Sequence, residues 1–355
     1  MQTKLKNRIA VGVDRGFGAT KYYSDILSGH VDSLVAPVTE KRAAELIANN
    51  KDDDSVILIK INDEYYLIGS YVAKVEPSYA ERDLRRSRDS INETILFIAG
   101  MGLATEDVEE AELVVTTGLP TDDYDRLKES YEQKILNRDK PYEFSIFRNG
   151  KEYKKSLKVI KTSIENQPKG TIIATINKKL AEGISWNDLK SRRFAVCDIG
   201  FNTTDLSIYV GKDIVRGDKI NFSTFAMVQI VATAKKMIEE AFDCKKTENE
   251  ILESLVTGEV KIRGKMKDCS EQVKEAFIRN ANLLVSEITS KWEVYLDSFD
   301  EMILTGGTLA NCVFADILQS LFEEKCGWNI TVPQNPQYAN AFGFYLISAS
   351  ILQNM

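Results

Sequence analysis

The segment Asp14-Arg-Gly-Phe-Gly-Ala-Thr20 returns about half a chain later as Asp198-Ile-Gly-Phe-Asn-Thr-Thr204. Both spell D-x-G-F-x-x-T: Asp14, Gly16, Phe17 and Thr20 in one, Asp198, Gly200, Phe201 and Thr204 in the other. Each follows an apolar run and precedes another. That pattern reads as strand, tight glycine turn, strand: a β-hairpin with a polar tip. Two such hairpins at this separation predict an α/β chain built as a duplicated domain. A cleft is expected between the copies, with the phosphates of a nucleotide in it.

A chain of 355 residues is too long for one ordinary core, and two domains of roughly 150 to 200 residues are expected. The net charge of -7 gives no broad electrostatic footprint for nucleic acid, so direct nucleic-acid binding is not expected as the main task. No apolar run of roughly 18 or more residues exists, so no membrane span is predicted. The basic N-terminus is followed by a short apolar run that meets Asp14 and Arg15, unlike a signal peptide. The five cysteines (Cys197, Cys244, Cys269, Cys312, Cys326) are odd in number, scattered and without a C-x-x-C pair. They indicate neither a disulfide framework nor a zinc site, and a reducing cytoplasm fits. The only histidine, His30, would have to carry any triad or histidine metal site alone. Its surroundings, Leu27-Ser-Gly-His-Val-Asp32, predict an exposed turn residue.

Along the chain, short strands are predicted at 9–13, 20–23 and 31–35, then a hairpin at 56–61 and 65–68. A helix follows at 91–103 with small residues on one face, and a strand at 113–117. Thr121 is expected to cap the next helix, with Asp122 and Asp123 in its first turn. Strands at 143–147 and 153–160 turn at Asn149-Gly150. Pro168 opens a helix running to about residue 180. The second half restarts at 194–198 and 205–210, with helices at 224–242, 248–256, 270–296, 309–322 and 338–352. A polar connection is expected around Gly258 and Gly264. The expected domains are 1–165, with 338–355 packing back onto it, and 166–337.

Chemistry concentrates at the turns. Gly16 and Gly18, flanking Phe17 and followed by Ala19, let backbone N–H groups form a nest for an anion. Thr20 adds a hydroxyl and Lys21 a positive charge. Asp14 beside phosphates makes sense if a divalent cation lies between them. Asp198, Gly200, Asn202, Thr203 and Thr204 repeat the design. A third piece, Ile303-Leu-Thr-Gly-Gly-Thr-Leu-Ala-Asn311, runs from strand into helix. Gly306, Gly307, Thr308 and Asn311 there suit a phosphate or nucleoside at a helix N-terminus, or a helix cap. A fourth, Pro336-Gln-Tyr-Ala-Asn-Ala-Phe-Gly343, permits close helix packing. A Walker A motif is absent, since Gly258 to Gly264-Lys265-Met266 has the wrong spacing, and so is a Rossmann G-x-G-x-x-G.

In these four pieces, in this order, the chain resembles the actin-like ATPase superfamily of actin, chaperone ATPases and sugar kinases. The resemblance implies a ribonuclease H-like duplicated fold, ATP or ADP with Mg2+, and Asp14 and Asp198 organising the metal waters. GTP is the alternative nucleotide. Gly118-Leu-Pro120 and Ile164-Glu-Asn-Gln-Pro-Lys-Gly170 make it most similar to ParM-type plasmid-segregation actins. In those proteins a glutamate of a Glu-x-x-Pro-x-Gly segment positions the attacking water. Glu165 occupies that place here, with Gln167 as the alternative and Asp198 as a further catalytic group. The resemblance implies dynamic homopolymer filaments and a DNA-binding adaptor bound to plasmid DNA. The arginines Arg82, Arg85, Arg86 and Arg88 are expected to be a solvated loop or a contact for a partner. The competing expectations are a small-molecule kinase, for which Asp122 or Asp123 would act on an acceptor hydroxyl, and a monomeric chaperone-like switch.

Overall fold

Two apolar strands lie side by side at the centre of the first sheet, Ile9, Val11 and Val13 in one and Leu113 and Val115 in the other, all buried. Parallel strands are as a rule covered on both faces, and these two pair in parallel. The computed structural model describes residues 7–79, 90–136, 140–215, 220–222, 225–295 and 297–355. They divide into one compact unit reaching to Ala174 and resuming over Tyr338–Met355, and a second over Thr175–Gln337. No helix among the described residues is long and apolar enough to cross a membrane.

The strands of the first unit are β1 (Arg8–Arg15), β2 (Ala19–Tyr23), β3 (Ser28–Asp32), β4 (Val35–Val38), β5 (Ile57–Ile61), β6 (Glu64–Ile68), β7 (Glu110–Leu119), β8 (Tyr142–Arg148) and β9 (Lys151–Asn166). They form one nine-stranded sheet in the order β3-β2-β1-β7-β9-β8-β5-β6-β4. Its helices are α1 (Glu40–Asn49), α2 (Tyr71–Val75), α3 (Ile91–Ala104), α4 (Thr121–Leu136), the start of α5 (Gln167–Ala181) and a closing helix, Ala339–Gln353. Helix α3 covers one face of β1, with Gly100 letting Val13 approach: a Cβ there would lie 2.9 Å from a Val13 methyl. The closing helix covers the other face. A Cβ on Gly12 would stand 2.2 Å from the Ala341 carbonyl oxygen. The closing helix also touches α5 backbone to backbone, since a Cβ on Gly343 would lie 1.8 Å from the Gly170 oxygen.

The second unit contains α6 (Trp186–Leu189), β10 (Arg193–Ile199), β11 (Thr204–Val210), β12 (Asp213–Ile214), β13 (Ile220–Phe222), α7 (Met227–Phe242), α8 (Glu248–Thr257), β14 (Glu259–Ile262), β15 (Lys265–Asp268), α9 (Ser270–Lys291), β16 (Glu301–Thr305), α10 (Cys312–Cys326) and β17 (Ile330–Thr331). Its main sheet runs β12-β11-β10-β16-β17. That is the order of β3-β2-β1-β7-β9 in the first unit. The senses agree too: β1 is antiparallel to β2 and parallel to β7, as β10 is to β11 and β16. The duplication read from the two hairpins is therefore present in the topology.

Several elements differ from expectation. The strand predicted at 31–35 is two, β3 and β4, because Ser33 turns its hydroxyl to the Gly16 carbonyl. Strand β9 runs on to Asn166 beside β7 instead of stopping near residue 160. The polar connection at Gly258 and Gly264 is a hairpin, β14–β15, turning at Arg263-Gly264 with both residues at positive φ. Thr121 does not cap α4 from outside but is its first residue, its hydroxyl bonded to Asn166. Helix α7 begins at Met227, α9 ends at Lys291 before the buried Trp292, and α10 begins only at Cys312. The arginines at 82, 85, 86 and 88 lie outside the described residues.

Gly343→Ala is expected to destabilise the protein by about 2–3 kcal/mol, since overpacking forces backbone to move. Gly327→Ala has open space and a positive φ only, so about 1 kcal/mol is expected. Denaturant midpoints of the two variants check this ranking.

Candidate functional site

The first hairpin is closed by the Gly16 N–H, which donates to the Ala19 carbonyl at 3.0 Å. A Cβ on Gly16 would sit 3.0 Å from both that oxygen and the Lys21 Nζ, so the turn leaves a side chain little room. The tip is pinned from the β3–β4 link. The Ser33 hydroxyl donates to the Gly16 carbonyl at 2.7 Å, and the Ser33 N–H to the Gly18 carbonyl at 3.0 Å. Thr20 Oγ1 lies 3.2 Å from Ser33 Oγ.

Asp14, next to last in β1, has 2% of its surface exposed. Its Oδ2 is 3.3 Å from the ammonium of Lys21, its cross-strand partner. Its Oδ1 accepts a 2.6 Å bond from Gln167 Nε2 at the start of α5. Arg15, next along the chain, points away into the core. It pairs with Glu93 at 2.9 Å and lies over the Tyr131 ring, 4.7 Å from its centroid. Pairing and stacking are what make a fully buried guanidinium tolerable. The end of β1 is thereby tied to α3 and α4 as well as to α5.

The two candidates at the β9–α5 junction separate in space. Gln167 reaches Asp14, and Gly118 makes room for it: a Cβ there would lie 3.1 Å from Gln167 Cγ. Glu165 instead accepts from Ser163 Oγ at 2.8 Å and pairs with Lys169 Nζ at 2.8 Å. Asp123 pairs with Arg126 in the first turn of α4.

The second hairpin repeats the construction. The Gly200 N–H donates to the Thr203 carbonyl at 2.8 Å, and a Cβ on Gly200 would lie 3.0 Å from that oxygen. The Thr308 hydroxyl donates to the Gly200 carbonyl at 2.7 Å, the role Ser33 plays in the first unit. Asp198 is next to last in β10 and 8% exposed. Gly306, at φ 105°, lays its backbone against it: a Cβ would stand 2.5 Å from Asp198 Oδ1 and 2.3 Å from the Ile199 oxygen. Gly306 N–H and Thr305 Oγ1 both donate to the Pro336 carbonyl. Thr204 donates to the Phe225 carbonyl, and Thr203 Oγ1 to Asp205 at 3.4 Å. Asn202 is half-buried, and Gly307 faces open space. Asn311 is the cap of α10, accepting from the Phe314 N–H and donating to the Leu255 carbonyl.

The copies differ in charge. Opposite Asp14 stands Lys21; opposite Asp198 stands Asp205, also buried. Directly opposed carboxylates repel. Burial first, then the carboxylates of Asp198 and Asp205, push the Cys197 thiol well up, which leaves it inert. Ser33 and Asp205 were not singled out from sequence. Asp205 extends the repeated motif by one residue, whereas nothing local marks Ser33. His30 is not a turn residue: it lies on β3, with Nδ1 2.5 Å from the Tyr338 hydroxyl, and desolvation chiefly lowers its pKa. Among the described residues no group of three or more His, Cys, Asp or Glu is placed to hold a metal ion.

Gly306→Ala is expected to cost about 2–4 kcal/mol from positive-φ strain and the clash with Ile199. Asn311→Ala is expected to cost about 1–2 kcal/mol through the lost cap. Thermal melts of both variants check the order.

Two family models match the chain. The N-terminal domain of actin-like proteins covers residues 12–170, and the C-terminal domain of the archaeal actin homologue, MreB-like, covers residues 196–312. A comparison with curated proteins finds no match. Among solved structures, a 15-stranded ParM filament from Clostridium botulinum is similar with a TM-score of 0.76 at 19% identity, covering 97% of this chain and 99% of that one. The apo psk41 ParM protein is similar at 0.66 and 20%, covering 98% of each. Ta0583, an archaeal actin homologue in complex with ADP, is similar at 0.72 and 16%, covering 96% of this chain and 99% of that one. At such identities these likenesses speak to the fold. The two matched domains take in both hairpins and most of the chain, which belongs to the actin-like protein family.

Proposed function

We propose that this protein binds and hydrolyses ATP and assembles into dynamic filaments that serve plasmid DNA segregation. One observation carries the reading: a buried strand-end carboxylate beside a glycine turn, built the same way in both units. In this reading both hairpins engage one nucleotide. The turn amides of Gly16, Phe17, Gly18 and Ala19, with Thr20 and Lys21, serve its phosphates from one unit. Gly200, Asn202, Thr203 and Thr204 serve them from the other. Gly306, Gly307 and Thr308 take the nucleoside side, while Asn311 contributes through the cap that shapes this loop.

Mg2+ fits the donors. Asp14 and Asp198 offer hard carboxylate oxygens, and a magnesium site needs only one or two of these besides water and phosphate. When bound, the ion neutralises charge that develops on the transferred phosphoryl group. Glu165 is assigned to orient the attacking water, since a carboxylate accepts its proton. Gln167 is assigned to hold Asp14 in place, as its 2.6 Å bond does. ADP is the product, and GTP remains the alternative to ATP. Support for self-assembly is the likeness to a ParM filament. An adaptor bridging the filament to plasmid DNA belongs to the same proposal, as does a cytoplasmic location.

Light scattering and sedimentation with ATP and Mg2+ test the filament claim, with reversible, ATP-dependent polymer as the expected result. No sedimentable polymer with any nucleotide would reject it. Glu165→Gln is expected to slow phosphate release about 100-fold or more while leaving assembly intact. Phosphate release that requires an added sugar or acid would point to a kinase instead.

A further inference from the structure

Both carboxylate oxygens of Glu165 are engaged. Ser163 and Glu165 alternate onto the same face of β9, and the Ser163 hydroxyl donates to Glu165 Oε1 at 2.8 Å. From the first turn of α5, the Lys169 ammonium meets Oε2 at 2.8 Å. The pair bridges the point where strand becomes helix, across Pro168. Glu165 has 12% of its side chain exposed and Lys169 31%. Lys128 on α4 also feels the Glu165 charge, although its contact with Tyr124 dominates its environment. A carboxylate offers about four lone-pair sites. The two bonds occupy one on each oxygen, so both oxygens keep further acceptor capacity.

We infer that Lys169 is a positioning residue, which together with Ser163 sets the direction in which Glu165 presents its free lone pairs to water. This inference rests on the reading of Glu165 as the water-orienting group. Lys169 is partly exposed and its pair spans four residues, a class of contact that adds little to stability. Its effect therefore belongs in the rate of the chemical step, where small misplacements of a reacting group are costly. A group that acts only in that step changes kcat and spares KM.

The test is steady-state phosphate release from ATP by the full chain, for wild type, Lys169→Ala, Lys169→Arg, Glu165→Gln and the Glu165→Gln/Lys169→Ala double variant. Lys169→Ala is expected to lower kcat about tenfold with KM nearly unchanged. Lys169→Arg should recover most of the loss, and in the Glu165→Gln background the alanine should add nothing. An unchanged kcat in Lys169→Ala, a raised KM at constant kcat, or additive losses in the double variant would each overturn the inference. Wild-type turnover by Glu165→Gln would instead overturn the Glu165 reading itself, and this inference with it. A readout independent of turnover is the side-chain 15N signal of Lys169 in nucleotide-free protein. A protected ammonium resonance is expected in wild type and its loss in Glu165→Gln; the same signal in both would contradict the contact.

Discussion

Each half of this molecule depends on one short hydrogen-bonded turn. In the first, the Gly16 N–H closes onto Ala19 while the Gly16 carbonyl is taken by Ser33. In the second, the Gly200 N–H closes onto Thr203 and its carbonyl is taken by Thr308. Both backbone groups of each glycine are thereby engaged. The aspartate two residues earlier is fixed at the end of its strand as a consequence. A buried carboxylate is costly unless it is bonded or paired, so the turn and its supports hold a charge in a place it would otherwise leave.

The supports come from different parts of the chain in the two units. Ser33 comes from a link between strands in the first sheet, Thr308 from the loop between β16 and α10. The two copies thus share the turn and the strands around it, while the hydroxyl that supports the glycine comes from a different segment in each. Charge is where they part. Asp14 has Lys21 and Gln167; Asp198 faces Asp205 and lies against the backbone of Gly306. The first copy carries a lysine where the second carries an aspartate.

Much of this could be read before any coordinates. The repeated D-x-G-F-x-x-T signature marked both turns because glycine and aspartate there serve backbone geometry, which is local. The close approach at Gly343 was legible from its small neighbours. Contacts between distant segments were not. Ser33 looks like any serine, and only the fold brings it to Gly16. Glu165 and Gln167 were inseparable in sequence, yet a step of two residues along the β9–α5 junction sends one to Ser163 and Lys169 and the other to Asp14. The β14–β15 hairpin was hidden because its strands are short and charged, with Val260 the one buried apolar side chain. His30 read as a turn because Ser28-Gly29 precedes it, but pairing with β2 draws the segment into the sheet.

The account stands on the claim that the aspartates of both copies act on one metal-bearing nucleotide. Calorimetric titration of wild type, Asp14→Ala and Asp198→Ala with ATP, in the presence and absence of Mg2+, tests it most directly. One nucleotide per chain is expected, bound with Mg2+-dependent affinity that either substitution abolishes. Two nucleotides per chain, or full Mg2+-dependent affinity surviving the loss of either aspartate, would contradict it.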